Sequence, residues 1–438
     1  MVKKILSPAP ANQGEIGGHG PDSVHPVPQE MRALVMNGVD FTQLQVRKVA
    51  TPRPGPRQLL ARVDAAGICT SLIKLVEQGP DHKLIYGWDI VRYPLILGDE
   101  GSVTLVEVGA ELRGSYQAGQ RYVLQPAVDH APINHRERYR DNGKGIEKVA
   151  VGYTLAGHLA EYMLIPEEVL AAGCLVPLPK PDLPYSHASM AEPFSCVISA
   201  QDHHQRLTQE SPLSPRKVLK GLKPGGVTVV IGAGAMGRMH VDLAMSYRPR
   251  AIVVTDINEQ RLQLVKNLFE ARSKQLGIAL HTSSPEVKDL VGKLTEYRGA
   301  DDVIVAVGSG KAIEEAQLLT GRGAVLNLFG GMKKGEDVVR LDTGIVHYKE
   351  INVTGSSGGS PWDVAQTLDL MAAGEINAGA HITRVGDLEH AVDFLKMIKA
   401  QDIDGKAIVY PHRRTSRIRA VASWGAQDEQ IYLRESEA

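Results

Sequence analysis

The segment Val229-Val230-Ile231-Gly232-Ala233-Gly234-Ala235-Met236-Gly237 limits the fold more than any other stretch of the chain. A run of β-branched residues ends on glycines spaced G-x-G-x-x-G, and a helical stretch follows. Gly232 permits a tight turn, Gly234 lets backbone approach a pyrophosphate, and Gly237 lets the helix lie close against the strand. Amides at the helix start, around Met236, then face the phosphate charge. That spacing alone is a weak signal. Here a second strand follows and ends at Asp256, 19 residues beyond Gly237, where a carboxylate accepts bonds from both ribose hydroxyls. The same carboxylate repels a 2′-phosphate, so NAD(H) is expected over NADP(H), with Arg261 as a partial offset.

Strand, glycine turn and helix repeat around this segment. Strands are expected at 227–231, 251–255, 302–307 and 324–329, with helices at 259–272 and 311–320. Such alternation predicts a doubly wound parallel sheet of the Rossmann type, placed at residues 201–355. From Met31 to about residue 165 the signals are short strands instead, at 32–36, 59–65, 101–108 and 121–125. Helices near 361–373 and 387–400 and a strand at 406–410 are expected to return to this first domain. It therefore combines 31–200 with 356–412. Residues 1–30 are rich in Pro and Gly without apolar periodicity and read as a flexible extension. The tail 413–438 opens with Arg413, Arg414, Arg417 and Arg419 and turns acidic. Ile418, Val421 and Trp424 leave room for it to dock.

Charge and cysteine usage exclude several roles. Lys plus Arg is 49 against 50 for Asp plus Glu, and phosphate-backbone binding needs a positive surplus. A nucleic-acid partner is excluded on that ground. No run reaches the roughly 18 apolar residues of a membrane helix. The basic start, Lys3-Lys4, has no apolar stretch behind it, unlike a secretory signal. Three cysteines, Cys69, Cys174 and Cys196, are too few for a disulfide framework and suit a reducing, cytoplasmic location.

Chemistry-bearing residues occur at three separate places. Cys69 follows a strand in Ala66-Gly67-Ile68-Cys69-Thr70-Ser71, Asp99 and Glu100 sit in Gly98-Asp99-Glu100-Gly101, and Glu192 precedes Pro193. Each alone has an ordinary explanation: a buried thiol, turn carboxylates, a helix-start glutamate. They lie 30 and 93 positions apart, so spacing does not assemble them. Cys174 and Cys196 read as inert, and His203 and His204 as polar surface.

Across about 31–410 the chain resembles the medium-chain dehydrogenase/reductase family, in its polyol-dehydrogenase branch. Cys69 matches the first zinc ligand of that family, in a motif usually read Gly-Ile-Cys-Gly-x-Asp. Glu192-Pro193 matches the glutamate of the branch's Glu-Pro motif, and Gly157-His158-Leu159-Ala160-Glu161-Tyr162 resembles its Gly-Gly-Phe-Ala-Glu-Tyr strand. Gln78-Gly79-Pro80-Asp81-His82-Lys83 and Gly355-Ser356-Ser357-Gly358-Gly359 are similar, more narrowly, to L-sorbose-1-phosphate reductases. The resemblance implies a GroES-like, mainly β catalytic domain beside the Rossmann domain. It also implies one catalytic zinc held by Cys69, Asp99 and Glu192, and a homodimer or homotetramer acting on a small molecule. Ser71 would pass the substrate proton, and Glu100 would act beside the ligands.

Three departures qualify this. Aspartate stands at position 99 where the family has histidine, so three negative ligands would face one ion, and Mn2+ becomes a competitor of Zn2+. The four cysteines of a structural zinc are absent from 126–150, so no structural zinc is expected. Thr70 and Leu72 replace the usual Gly and Asp beside the first ligand. The implied reaction is hydride transfer between NAD(H) and a secondary alcohol or ketone. Lys74, Lys83 and Arg92 are candidates to meet a substrate phosphate. A dehydrogenase of plain polyols, or a nucleotide-binding protein without chemistry, are the alternatives.

Overall fold

The computed structural model of the chain describes residues 26–129, 132–284, 286–332 and 335–435. Most of the proposed N-terminal extension, residues 1–25, and the last three residues of the tail lie outside these. Among the described residues no helix is long and apolar enough to cross a membrane.

Six parallel strands form one sheet, in the spatial order Ala279–Ser283, Ala251–Thr255, Val227–Ile231, Ala300–Val305, Thr320–Leu328 and Asn352–Thr354. Its central strands are near-continuous Val/Ile runs because helices cover both faces. The expected helix at 311–320 is shorter. It spans Gly310–Ala316, tightens into a 3-10 turn at Gln317–Leu319, and gives way at Thr320 to a strand that starts earlier than expected.

A second, largely antiparallel sheet holds Leu59–Gly67 at its centre, with Glu100–Val108 on one side and Lys406–Tyr410 on the other. The late strands thus return to the early part of the chain, and Ile408 pairs with Gly67. The helix expected at 387–400 starts later. Asp387 closes the strand Ile382–Asp387, its carboxylate accepts from Glu389 N at 3.1 Å, and the helix proper is Ala391–Lys399.

Between the two sheets runs the helix Ala191–Asp202, packed against Ala235–Ala244 and Pro361–Ala372. Asn327 Nδ2 ties its far end to the parallel sheet by donating to Ala200 O at 2.7 Å. The tail docks. Arg419–Ala420 pairs with Ile382–Asp387, a helix forms at Ala426–Arg434, and Trp424 and Tyr432 are buried.

Candidate active site

The dinucleotide turn has the backbone its glycines predict. Gly232 sits at φ +105°, and a Cβ on Gly237 would lie 1.8 Å from Gly232 O, which only glycine avoids. A Cβ on Gly234 would meet open space at the helix start, the room a pyrophosphate needs. Asp256 Oδ2 accepts from Ala233 N at 2.7 Å, and Oδ1 accepts from Asn258 N at 2.8 Å. The carboxylate is therefore fixed over the turn, with lone pairs left for ribose hydroxyls. Arg261 is drawn to Asp404 at 3.6 Å, and Arg238 bonds the same carboxylate at 2.8 Å, so the charge of Arg261 is already partly matched. Met236 is half-buried against the apolar cluster that includes Phe194 and Met239. This cradle fits a dinucleotide.

The second set of residues gathers where the antiparallel sheet meets that helix. Cys69 ends the turn after Leu59–Gly67, and its sulfur accepts from Ser71 N at 3.5 Å. Ser71 opens the helix Ser71–Gln78, and its hydroxyl donates to Asp99 Oδ2 at 2.7 Å. Asp99 Oδ1 is buried without a partner. Glu192 lies in the first turn of Ala191–Asp202, 8% exposed, and takes a bond from Cys196 Sγ at 3.5 Å. Glu100 is pinned by the buried ammonium of Lys406, which also donates to Ile68 O at 3.2 Å. A Cβ on Gly67 would lie 2.1 Å from Glu100 Oε2, so a side chain there would displace the carboxylate.

Electrostatics bind these groups into one unit. Burial pushes the Cys69 thiol well up, and Asp99 and Glu100 push it further. Burial and then Glu100 raise Asp99 to about 6. Burial, Glu100 and Asp99 together raise Glu192 well above the usual carboxylate range. Burial alone would lower Lys406, but Glu100 and Cys69 win and hold it charged. Buried acids that oppose each other's ionisation call for a cation. A thiol, two carboxylates and an unpartnered buried oxygen suit a divalent ion in donor chemistry. As placed, however, no three His, Cys, Asp or Glu side chains among the described residues converge into a ready cage.

Beside this unit stand cations. Burial, and then the charges of Lys83 and Lys74, lower His82 to about 4. Lys74 reaches the parallel-sheet domain: its Nζ lies 3.6 Å from the position of a Cβ on Gly331. Arg92 makes its contact elsewhere, over the Tyr93 ring at 5.3 Å.

Sequence reasoning missed several neighbours. Tyr153 is buried beside this unit, and its ring lies tilted against His82 with centroids 5.5 Å apart; its local sequence carries no signal. Lys406 had one, a charge opening an otherwise apolar buried strand. Cys196, read as inert, touches Glu192. His204, read as surface, is buried and bonds Asp302 Oδ1 at 2.7 Å. The same Asp302 carboxylate also pairs with Arg206, so the sheet holds both side chains through one acid.

Known proteins share this layout. The alcohol dehydrogenase GroES-like domain matches residues 55–180, and the zinc-binding dehydrogenase domain matches residues 235–373. Mannitol-1-phosphate 5-dehydrogenase of Aliivibrio fischeri is 33% identical over 381 residues, covering 84% of this chain and 84% of that protein. L-Sorbose 1-phosphate reductase of Klebsiella pneumoniae is 28% identical over 372 residues, covering 84% of this chain and 85% of the other. An alcohol dehydrogenase from Escherichia coli, solved with NADH, shares the fold at TM-score 0.66 and 19% identity, covering 87% of this chain and all of that one. The glycine turn, the GroES-like sheet and the identity to a polyol-phosphate enzyme across both domains lead to one conclusion: this chain belongs to the zinc-type medium-chain dehydrogenases, the family of the alcohol and polyol dehydrogenases.

Proposed function

We propose that the chain interconverts a secondary alcohol and a ketone on a phosphorylated sugar or polyol, using NAD(H) and one divalent ion, with zinc favoured over Mn2+ by the thiolate of Cys69. The observation that carries the substrate class is Lys74, on the helix that Ser71 opens, whose ammonium reaches toward Gly331 of the parallel-sheet domain, with Lys83 following the buried His82 that packs on Tyr153. Two relatives named for sugar or polyol phosphates support it. Arg92, stacked on Tyr93, has the weakest claim to the phosphate.

Cys69, Asp99 and Glu192 are the residues to hold the ion, with Asp99 Oδ1 the oxygen free to do so. When bound, the ion supplies charge stabilisation for a developing alkoxide and the dinucleotide supplies the hydride chemistry. Ser71 takes the substrate proton at Oγ while its own passes to Asp99 Oδ2, the acceptor it already bonds, so no charge builds on serine. Asp99 Oδ2 keeps that hydroxyl aimed. Glu100 and Lys406 balance charge beneath the ligands rather than touch substrate. Cysteine usage supports a cytoplasmic location, and family resemblance a homodimer or homotetramer.

The test is a panel of ketoses, polyols and their phosphates with NADH or NAD+, after metal analysis. Lys83→Ala and Lys74→Ala should raise KM for the phosphorylated substrate far more than for its dephosphorylated form, and salt should weaken the former selectively. Equal catalytic efficiency on both forms would identify a plain polyol dehydrogenase instead.

A further inference from the structure

The tail reaches the element that carries Glu192. Glu429, in the helix Ala426–Arg434, is 4% exposed, and its two oxygens accept from Tyr185 N at 2.7 Å and Ser186 N at 2.8 Å. Those amides open the short helix Tyr185–Ser189, which runs through Met190 into Ala191–Asp202. Unpaired amides at a buried helix start are costly, so the carboxylate fixes where the helix begins. Tyr410 OH donates to Glu429 Oε2 at 2.7 Å, and Trp424 Nε1 donates to Tyr410 OH at 2.7 Å. The carboxylate is thus oriented from behind as well.

The same short helix is gripped from its other side by the strand that follows Asp99. Ser102 Oγ donates to Tyr185 O at 2.9 Å, in the strand Glu100–Val108. Tyr185 and Ser186 therefore sit between the arm that bears Asp99 and the tail. Glu192 follows Ser186 by six residues, across the single turn residue Met190, which bonds back to His187 O and accepts from Phe194 N, so a shift at the amides is carried to its carboxylate.

We propose that Glu429 is a positioning residue: through the amides of Tyr185 and Ser186 it sets the approach of Glu192 to Asp99, and so the affinity of the site for its ion. The inference rests on the ligand reading given above. Groups that orient a metal ligand without touching the ion change metal affinity by about 10–100-fold when removed.

The experiment measures zinc affinity by chelator competition on the full-length chain, alongside thermal unfolding. Glu429→Gln, which turns one acceptor into a donor facing an amide, should weaken zinc binding by at least about tenfold. Tyr410→Phe, which removes one of the three bonds, should weaken it less. Arg419→Gln breaks the ion pair with Glu435 on the same tail without touching Tyr185 or Ser186. It should lower the unfolding midpoint and leave zinc affinity unchanged. Glu192→Gln is the control for the ligand reading. If Glu192→Gln weakens zinc binding while Glu429→Gln and Tyr410→Phe do not, the positioning role is overturned and the ligand reading stands. If affinity merely follows the unfolding midpoint across all the tail variants, Arg419→Gln included, the tail is only structural and the proposal also fails. If Glu192→Gln binds zinc like the unaltered chain, the ligand reading fails, and this inference with it.

Discussion

Ser71 and Asp99 are joined by one hydrogen bond, 2.7 Å from Oγ to Oδ2, and that bond divides the work of the aspartate. Oδ2 holds the hydroxyl, while Oδ1 stays buried and unpartnered. A histidine in the same place would present one nitrogen inward and donate or accept with the other, but would add no negative charge. Aspartate instead adds a charge to a pocket already crowded by Cys69, Glu100 and Glu192. Proton handling and cation demand are therefore coupled through a single side chain.

The purified protein is expected to hold one divalent ion per chain in this pocket. Cys69→Ser should lose the ion and the activity, while NADH binding, read by fluorescence titration, persists because the glycine turn is in the other domain. Asp99→His should keep the ion and remove one negative charge beside it. Full activity in thoroughly demetallated protein would refute the proposal.

Cofactor choice turns on Asp256. Both its oxygens are held by backbone amides, so it cannot swing aside to admit a 2′-phosphate. Arg261, partly matched by Asp404, offers little relief. NADH should bind more tightly than NADPH, and Asp256→Ser should narrow the ratio of dissociation constants by roughly tenfold, about 1.4 kcal/mol. Titration of the unaltered protein with equal or tighter NADPH binding would sink this assignment.

Much of the fold was legible because local pattern and burial agree. The strands Val227–Ile231 and Ala251–Thr255 match the β-branched runs residue for residue, and Gly232 and Gly237 are required where the motif places them. What escaped depends on partners distant in sequence. His204 is polar in sequence and fully buried because Asp302, 98 residues later, meets it. Lys406 reaches Glu100 across 306 positions. Trp424 was open to such a docking in sequence, but Tyr432 and Glu429, which hold the tail with it, carry no periodicity in so short a segment.

The pair Lys406–Glu100 is buried on both sides, with side chains 7% and 1% exposed. Removing one partner of such a pair leaves an uncompensated charge and costs about 3–5 kcal/mol. Lys406→Met should therefore lower stability strongly, and more so without zinc, because the acids it opposes would then face no cation. Adding Glu100→Gln to it should recover much of the loss. Thermal unfolding of the single and double variants with and without zinc reads this directly, and an unchanged midpoint in Lys406→Met would disprove the role.

A pH dependence of stability follows from His240, away from the ion site. Its ring is fully buried, edge-on to Phe329 at 4.5 Å, and Gln201 Nε2 lies 3.2 Å from its Nδ1. Burial, and then His204, lower its pKa from 6.5 to about 3. The unfolded chain thus binds a proton that the folded chain refuses. The stabilisation is complete above about pH 6.5 and drains as pH falls toward 3, at about 1.4 kcal/mol per unit. From pH 7.5 to 5.0 this one group should cost roughly 2 kcal/mol of stability. His240→Asn keeps an acceptor near the Nδ1 position and cannot titrate in this range. Its stability is expected to be lower at pH 7.5, from lost packing, yet to fall less steeply between pH 7.5 and 5.0. Denaturant unfolding at several pH values measures both slopes, and parallel curves for the two proteins would show that His240 is not the group responsible.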